Sequence, residues 1–322
     1  MYQNQQSPED GFTNYGGQGG AYASPIPANN ANKGMFLRGT RRRMNFVPVI
    51  LAVVLPWAMF TLVFGVMSFK LHYAQPTLCY LILAACLVAV MCVAFTALGN
   101  RTRLFSSASE REPSWLIFIA ACLFFALISG FTFGQENYTA YSERFYNLQN
   151  LNNYTNVYPN LMLGQQLIDA GVVQFAEGTR LEVGKSMGFK NSKVFCVAPI
   201  VFGDKTPLSY DFWAVGEDCC SGSQADYHCG AYNNPLADGA IRLMASEDRS
   251  FYRLAVQQAE ATYNIKAAHP LFFTWSVQPS ATIKGWETTA QGQYVVCMMS
   301  FLVFQIFLVA LATVVFSKIG YY

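Results

Sequence analysis

The stretch FVPVILAVVLPWAMFTLVFGVMSF, residues 46–69, holds no charged side chain. A helix rises about 1.5 Å per residue, so about 20 residues cross a hydrocarbon core of about 30 Å. This block is therefore long enough to span a bilayer. Three further blocks of the same kind follow, at 77–98, 115–133 and 294–316. None of the four contains Asp, Glu, Lys, Arg or His. Charged residues make up 12% of the chain, about half the 25% usual for soluble domains. The expected fold is a membrane α-helical protein with four transmembrane helices. A small disulfide-stapled α+β domain is expected between helices 3 and 4.

These figures also exclude classes of function. A net charge of +2 without a basic face argues against nucleic acid as a partner. The scarcity of charge argues against an ordinary cytosolic enzyme. Intramembrane acids, bases and histidines usually mark ion and proton pathways, and their absence from the spans weighs against a transporter.

Lys and Arg in short flanking segments set orientation. Lys33, Arg38, Arg41, Arg42 and Arg43 precede the first span; Arg101, Arg103 and Arg111 lie between the second and third; Lys318 follows the fourth. The short loop between the first two spans offers only Lys70. Both termini are thus expected in the cytosol, at the plasma membrane or in the endomembrane system, with residues 134–293 exoplasmic. Residues 1–45 read as a disordered cytosolic tail, polar and rich in Asn, Gln and Gly, and 317–322 as a short second tail. The arginines at 38–43 are suited to anionic lipid of the bilayer at about 1 kcal/mol per charge.

The exoplasmic placement gives meaning to two further patterns. The sequons at Asn137 and Asn153 fall on the side where glycosylation occurs, whereas the sequon at Asn100 falls in the cytosolic loop. Four of the nine cysteines, Cys196, Cys219, Cys220 and Cys229, also lie there. An even number in an oxidising compartment reads as disulfides. Cys219 and Cys220 are adjacent and ill placed to bond each other. Two pairings remain: Cys196–Cys219 with Cys220–Cys229, or Cys196–Cys220 with Cys219–Cys229. A metal held by these cysteines with His228 and Asp226 is the rival reading, but the spacing lacks the CxxC pairs of zinc folds, and no metal or other cofactor is expected.

Within the spans, Pro56 removes a backbone donor, predicts a kink and leaves the carbonyl of Ala52 without its helical partner. Ala126, Gly130 and Gly134 recur at spacings of four, a packing ridge of small residues that serves either the bundle itself or a homo-oligomer. Gln305 is the one strongly polar side chain deep in a span.

In the exoplasmic segment a helical stalk is expected over 141–151. A hairpin of 172–175 with 179–183 follows around Glu177-Gly178. Strands are expected at 193–202, 210–215 and 270–277. Helices are expected at 235–245 and at 247–265, the latter capped by Ser246, and a linker at 278–293. Chemistry-bearing motifs are imitated without being completed. TRLEVGKS at 179–186 ends like a phosphate-binding loop but begins on Thr179 and carries bulky residues where backbone amides must cradle phosphate. Asp204, Asp211, Glu217 and Asp218 are the carboxylates available for acid–base pairing. No catalytic residue is assigned.

Four spans, cytosolic ends and a large cysteine-bearing loop before the last span resemble the tetraspanins in layout. Cys219-Cys220 is similar to their paired cysteines, although Ser221 stands where their motif has glycine. The stretch YDFWAVGEDCC…HCGAYNNP, 210–235, resembles a pattern in uncharacterised multi-pass membrane proteins of single-celled eukaryotes, which implies no activity. The functional expectation is a non-enzymatic scaffold or adaptor whose exoplasmic domain binds a protein partner through Tyr227, His228 and Tyr232. The alternative is a subunit of an oligomeric channel or transporter assembled through Gly130 and Gly134.

Overall fold

The computed structural model describes residues 46–104 and 113–319. The tails at 1–45 and 320–322 and the loop at 105–112, with Arg111, lie outside the described residues. Among the described residues, four helices are long and apolar enough to cross a membrane. They are α1 (Phe46–Ser68), α3 (Pro76–Leu104), α4 (Pro113–Asn137) and α7 (Pro279–Ile319), with the short α2 (Lys70–Ala74) between the first two. Three of the four begin on a proline. Proline suits a first helical turn, because its missing N–H would be unpaired there anyway.

α4 packs along α1, and the small residues explain how closely. A Cβ added at Gly134 would stand 2.6 Å from Cβ of Met67, and one at Gly130 would stand 3.1 Å from Cβ of Val63. Ala126 is fully buried one turn earlier. α7 also packs on α1, where Phe60 stacks on Phe301 at a centroid distance of 4.2 Å.

Two helices run past the predicted spans. α4 continues through a π-helical turn (Tyr138–Ser142) into α5 (Glu143–Gln149). α7 begins at Pro279, so the expected linker at 278–293 is helix. Its polar, weakly periodic sequence hides this. The helix is held there by its neighbours, as Asn137 Nδ2 donates to the carbonyl of Ala290 at 3.2 Å.

Between α5 and α7 lies a mixed eight-stranded sheet. Its strands are β1 (Asn152–Val157), β2 (Ala170–Phe175), β3 (Thr179–Leu181), β4 (Met187–Asn191), β5 (Lys193–Phe202), β6 (Phe212–Glu217), β7 (Gly239–Arg242) and β8 (Leu271–Ser276). The order is β1-β2-β7-β8-β6-β5-β3, with β4 also paired to β5. The expected hairpin does not form. The turn is real, with Gly178 at φ +92 and Thr179 N bonded to the carbonyl of Ala176. Its two arms then part: β2 pairs with β1 and β7, and β3 pairs with β5 at the far edge. The helix expected over 235–245 is instead β7, a four-residue strand inserted between β2 and β8.

Helix α6 (Ser246–Tyr263) covers one face of the sheet. It lays Tyr252, Ala255, Val256 and Ala259 on Val197, Trp213, Val215 and Phe272. Ser246 is its first residue rather than its cap; the cap position is Ala245, without a side-chain bond, and Glu247 and Asp248 supply the charge of the first turn. The opposite face carries Phe175, Phe212, Phe273 and Trp275. It is covered by loops that bring in Leu167, Tyr227, Cys219, Cys220 and Cys229. Loop cover of this kind needs tying down, and two side-chain clusters provide it.

Candidate functional site

The first cluster is built on the parallel pair β6 and β8, whose N-terminal ends lie side by side. Asp211, immediately before β6, is buried. Its Oδ1 accepts hydrogen bonds from Ser209 Oγ at 2.6 Å and His269 N at 3.1 Å, and its Oδ2 accepts from Gly164 N at 2.8 Å. A buried carboxylate is tolerable only when its oxygens are satisfied in this way. The bonds join three loops: 158–169, 203–211 and 266–270. At Gly164 a side chain would collide with the carbonyl of His269, so only glycine allows the approach. Gln165 and the ring of His269 bond each other beside it.

These tied loops turn aliphatic side chains outward. Leu161 is 76% exposed, Leu208 94% and Ile168 63%, with Leu163 beside them in chain. Single exposed leucines are ordinary. Here several stand on loops that one buried acid ties together. A lone aspartate before a strand carries no sign of burial in the sequence, so Asp211 stood among the carboxylates without this role.

The second cluster is the cysteine layer. Cys196 lies at disulfide distance from Cys220, with Cα atoms 5.9 Å apart, and Cys219 from Cys229, with Cα atoms 5.2 Å apart. Of the two pairings left open by spacing, the structure thus has the second. Cys196 sits at the centre of β5, opposite Gly188 on β4 and Gly216 on β6. A Cβ on Gly216 would stand 2.6 Å from Sγ of Cys229, and one on Gly188 would stand 2.8 Å from Sγ of Cys220. The two glycines make the floor on which the bridges rest. Asp226 closes the intervening loop by accepting from Ser221 N at 2.9 Å. That backbone hydrogen bond, foremost, holds the carboxyl of Asp226 below the usual range.

The remaining predicted positions separate. Tyr227 is buried in the core, not on the surface with its neighbours, and burial pushes its phenol well up. His228 and Tyr232 stay exposed with their rings 6.3 Å apart. The four carboxylates do not converge. Asp204 pairs with Arg180 at 3.1 Å, Glu217 with Lys193 at 2.6 Å, and Asp218 accepts from Val194 N at 2.8 Å. Asp211 and Glu217 flank the opposite ends of β6. In the imitation phosphate loop, Lys185 is bonded to Glu182 and to Tyr210, each at 2.9 Å.

Asn137 is 5% exposed, and its Nδ2, the atom a glycan would take, donates to the carbonyl of Ala290. Asn153 is exposed on the edge strand β1. Gly130 and Gly134 are filled by α1 of the same chain, and an oligomer would have to associate through other residues. Pro56 lies inside an unbroken α1, and the freed carbonyl of Ala52 is taken by Gln305, whose Nε2 donates to it at 2.8 Å. Comparison with protein-family models, with curated proteins and with solved structures finds no match to this chain.

Proposed function

We propose that the protein is a non-enzymatic membrane scaffold. The domain between α5 and α7 recruits a protein partner, and the four apolar helices anchor it in the bilayer. The observation that carries this reading is that Leu161, Leu163, Ile168 and Leu208 are exposed on loops that the buried Asp211 ties together. A carboxylate with all its bonds made to backbone and a hydroxyl serves to position loops, and the side chains those loops display are aliphatic.

In this reading both termini are cytosolic and the sheet domain is exoplasmic, at the plasma membrane or in the endomembrane system. The distribution of Lys and Arg supports that topology. The cysteine pairs support an oxidising compartment. Asn153 is the glycan acceptor of choice, because it is the exposed one of the two sequons on that side.

The test is crosslinking in native membrane from a photoreactive residue at position 163, which the variant below leaves free, followed by mass spectrometry. A reproducible protein partner is expected, lost in the double variant Leu161→Asp, Leu208→Asp while the cysteine pairing is unchanged. The same crosslinks in both proteins, or none in either, overturns the reading.

A further inference from the structure

The two bridges are not isolated from each other. Sγ of Cys196 lies within 4.8 Å of both Sγ of Cys219 and Sγ of Cys229, so one bridge of the layer touches the other. Gly188 and Gly216 enforce this crowding from the sheet side, since any side chain at either would meet a sulfur at less than 3 Å. Exposure is divided as well. Cys196 and Cys229 are buried, whereas the adjacent Cys219 and Cys220 are only half-buried. An incoming thiolate therefore meets Cys219 or Cys220 first, and the sulfur it displaces is an inner one.

We infer that this layer is a thiol-exchange site that takes a small-molecule thiol and uses it to change its own bridge pairing. The thiolate attacks Sγ of Cys220; a mixed disulfide forms, the bond to Cys196 breaks, and Cys196 leaves as a thiolate. That thiolate faces the second bridge within 4.8 Å and attacks Sγ of Cys219. A Cys196–Cys219 bond forms and the Cys229 thiolate is released. Cys229 attacks the mixed disulfide at Cys220, a Cys220–Cys229 bond forms, and the small thiol departs as a thiolate. Each step breaks one S–S bond and makes one, so the cycle is redox-neutral and the thiol is returned. The prearranged sulfurs make the inner steps unimolecular, which favours exchange over loss of both bridges to reduction. The product is the other pairing compatible with the spacing of the four cysteines. It re-anchors the loop between Cys219 and Cys229, which carries the exposed His228. The inference does not depend on the exposed leucines or on any protein partner.

The experiment uses the full chain in membrane vesicles treated with reduced glutathione, then acid-quenched, alkylated and digested without reduction. Electron-transfer fragmentation between Cys219 and Cys220 distinguishes the pairings. Cys196–Cys219 and Cys220–Cys229 peptides are expected to appear together, with no more than one alkylated thiol per attached glutathione. Native pairs that pass directly to free thiols, or that never accept glutathione, overturn the inference. The variant Cys220→Ser supplies a second reading without added thiol. Its free Cys196 lies beside the remaining bridge, so a mixture of Cys219–Cys229 and Cys196-linked peptides is expected. A lone Cys219–Cys229 bridge with fully alkylatable Cys196 overturns it.

Discussion

The helix bundle and the sheet domain solve the same two packing problems with the same residue types. Each uses glycine where backbones or sulfurs must come close: Gly130 and Gly134 against α1, Gly164, Gly188 and Gly216 in the domain. Each uses one buried polar side chain as a pin: Gln305 on the carbonyl of Ala52, and Asp211 on three loops. The reference state differs. The domain unfolds into water, where every freed donor is solvated, so a donor left unpaired in the folded state carries its full desolvation cost. In the proposed bilayer setting of the bundle, helices parted within lipid find other partners for their polar groups, and the measured worth of such bonds is small. The same device should therefore matter more in the sheet than in the bundle, and substitutions can break or sharpen that contrast.

The largest effect is expected from Asp211→Ala. It strands the buried N–H of Gly164, at about 1–3 kcal/mol, and the part-buried N–H of His269, at less. Asp211→Asn keeps one acceptor and should cost less than half as much. Chemical denaturation followed by the fluorescence of the buried Trp213 and Trp275 reads both. Equal losses for the two variants would mean that the site tolerates orphaned donors and that the contrast with the bundle is false.

Next comes Gly216→Val, which places a branched side chain where Sγ of Cys229 and Cys219 now lie. Loss of a native bridge from a small domain typically costs about 2–5 kcal/mol, and a value near the lower end is expected because the other bridge can persist. Counting alkylated cysteines after denaturation checks it. Two additional free thiols are expected, and none would show that the floor of the layer can yield.

How much of this was legible follows the same division. The four helices long and apolar enough to cross a membrane are written in composition, as continuous apolar runs, and Pro76, Pro113 and Pro279 mark three of the helix starts. β5 is legible for a similar reason: KVFCVAPIVF is buried on both faces and reads as one apolar run. Pairing is another matter. The turn at Gly178 shows in the residues, but the divergence of β2 and β3 depends on β7 and β5, strands distant in sequence. β7 itself has four residues and no period of its own, so its neighbours alone make it a strand. The polar start of α7 is helix for a comparable reason, and Asp211 differs from the surface acids only in what folds over it.

In the bundle, Gly134→Leu should come third. The added side chain pushes against Met67 and the carbonyl of Phe64, and overpacking of this kind costs about 1–3 kcal/mol. Thermal unfolding in detergent reads the change, and Gly285→Leu on the open face of α7, with nothing within 4 Å, is the control expected to be silent. Matching losses at both positions would mean that the two glycines are not distinguished by packing.

The smallest effect tests the contrast most sharply. Gln305→Leu should cost only about 0.6–1 kcal/mol, because an interhelical hydrogen bond in lipid competes with other partners. What Gln305 supplies is the donor that Pro56 withholds from Ala52. In a Pro56→Ala background the residue at 56 regains its N–H and can satisfy that carbonyl within α1. The loss on replacing Gln305 should then shrink, and the double-mutant cycle should return a positive coupling close to the whole single-variant effect. Additive losses would mean that Gln305 holds α7 to α1 for its shape alone. A loss as large as that of Asp211→Ala would mean that the bundle keeps water or lipid from offering its polar groups an alternative, and the distinction between the two regions would fall.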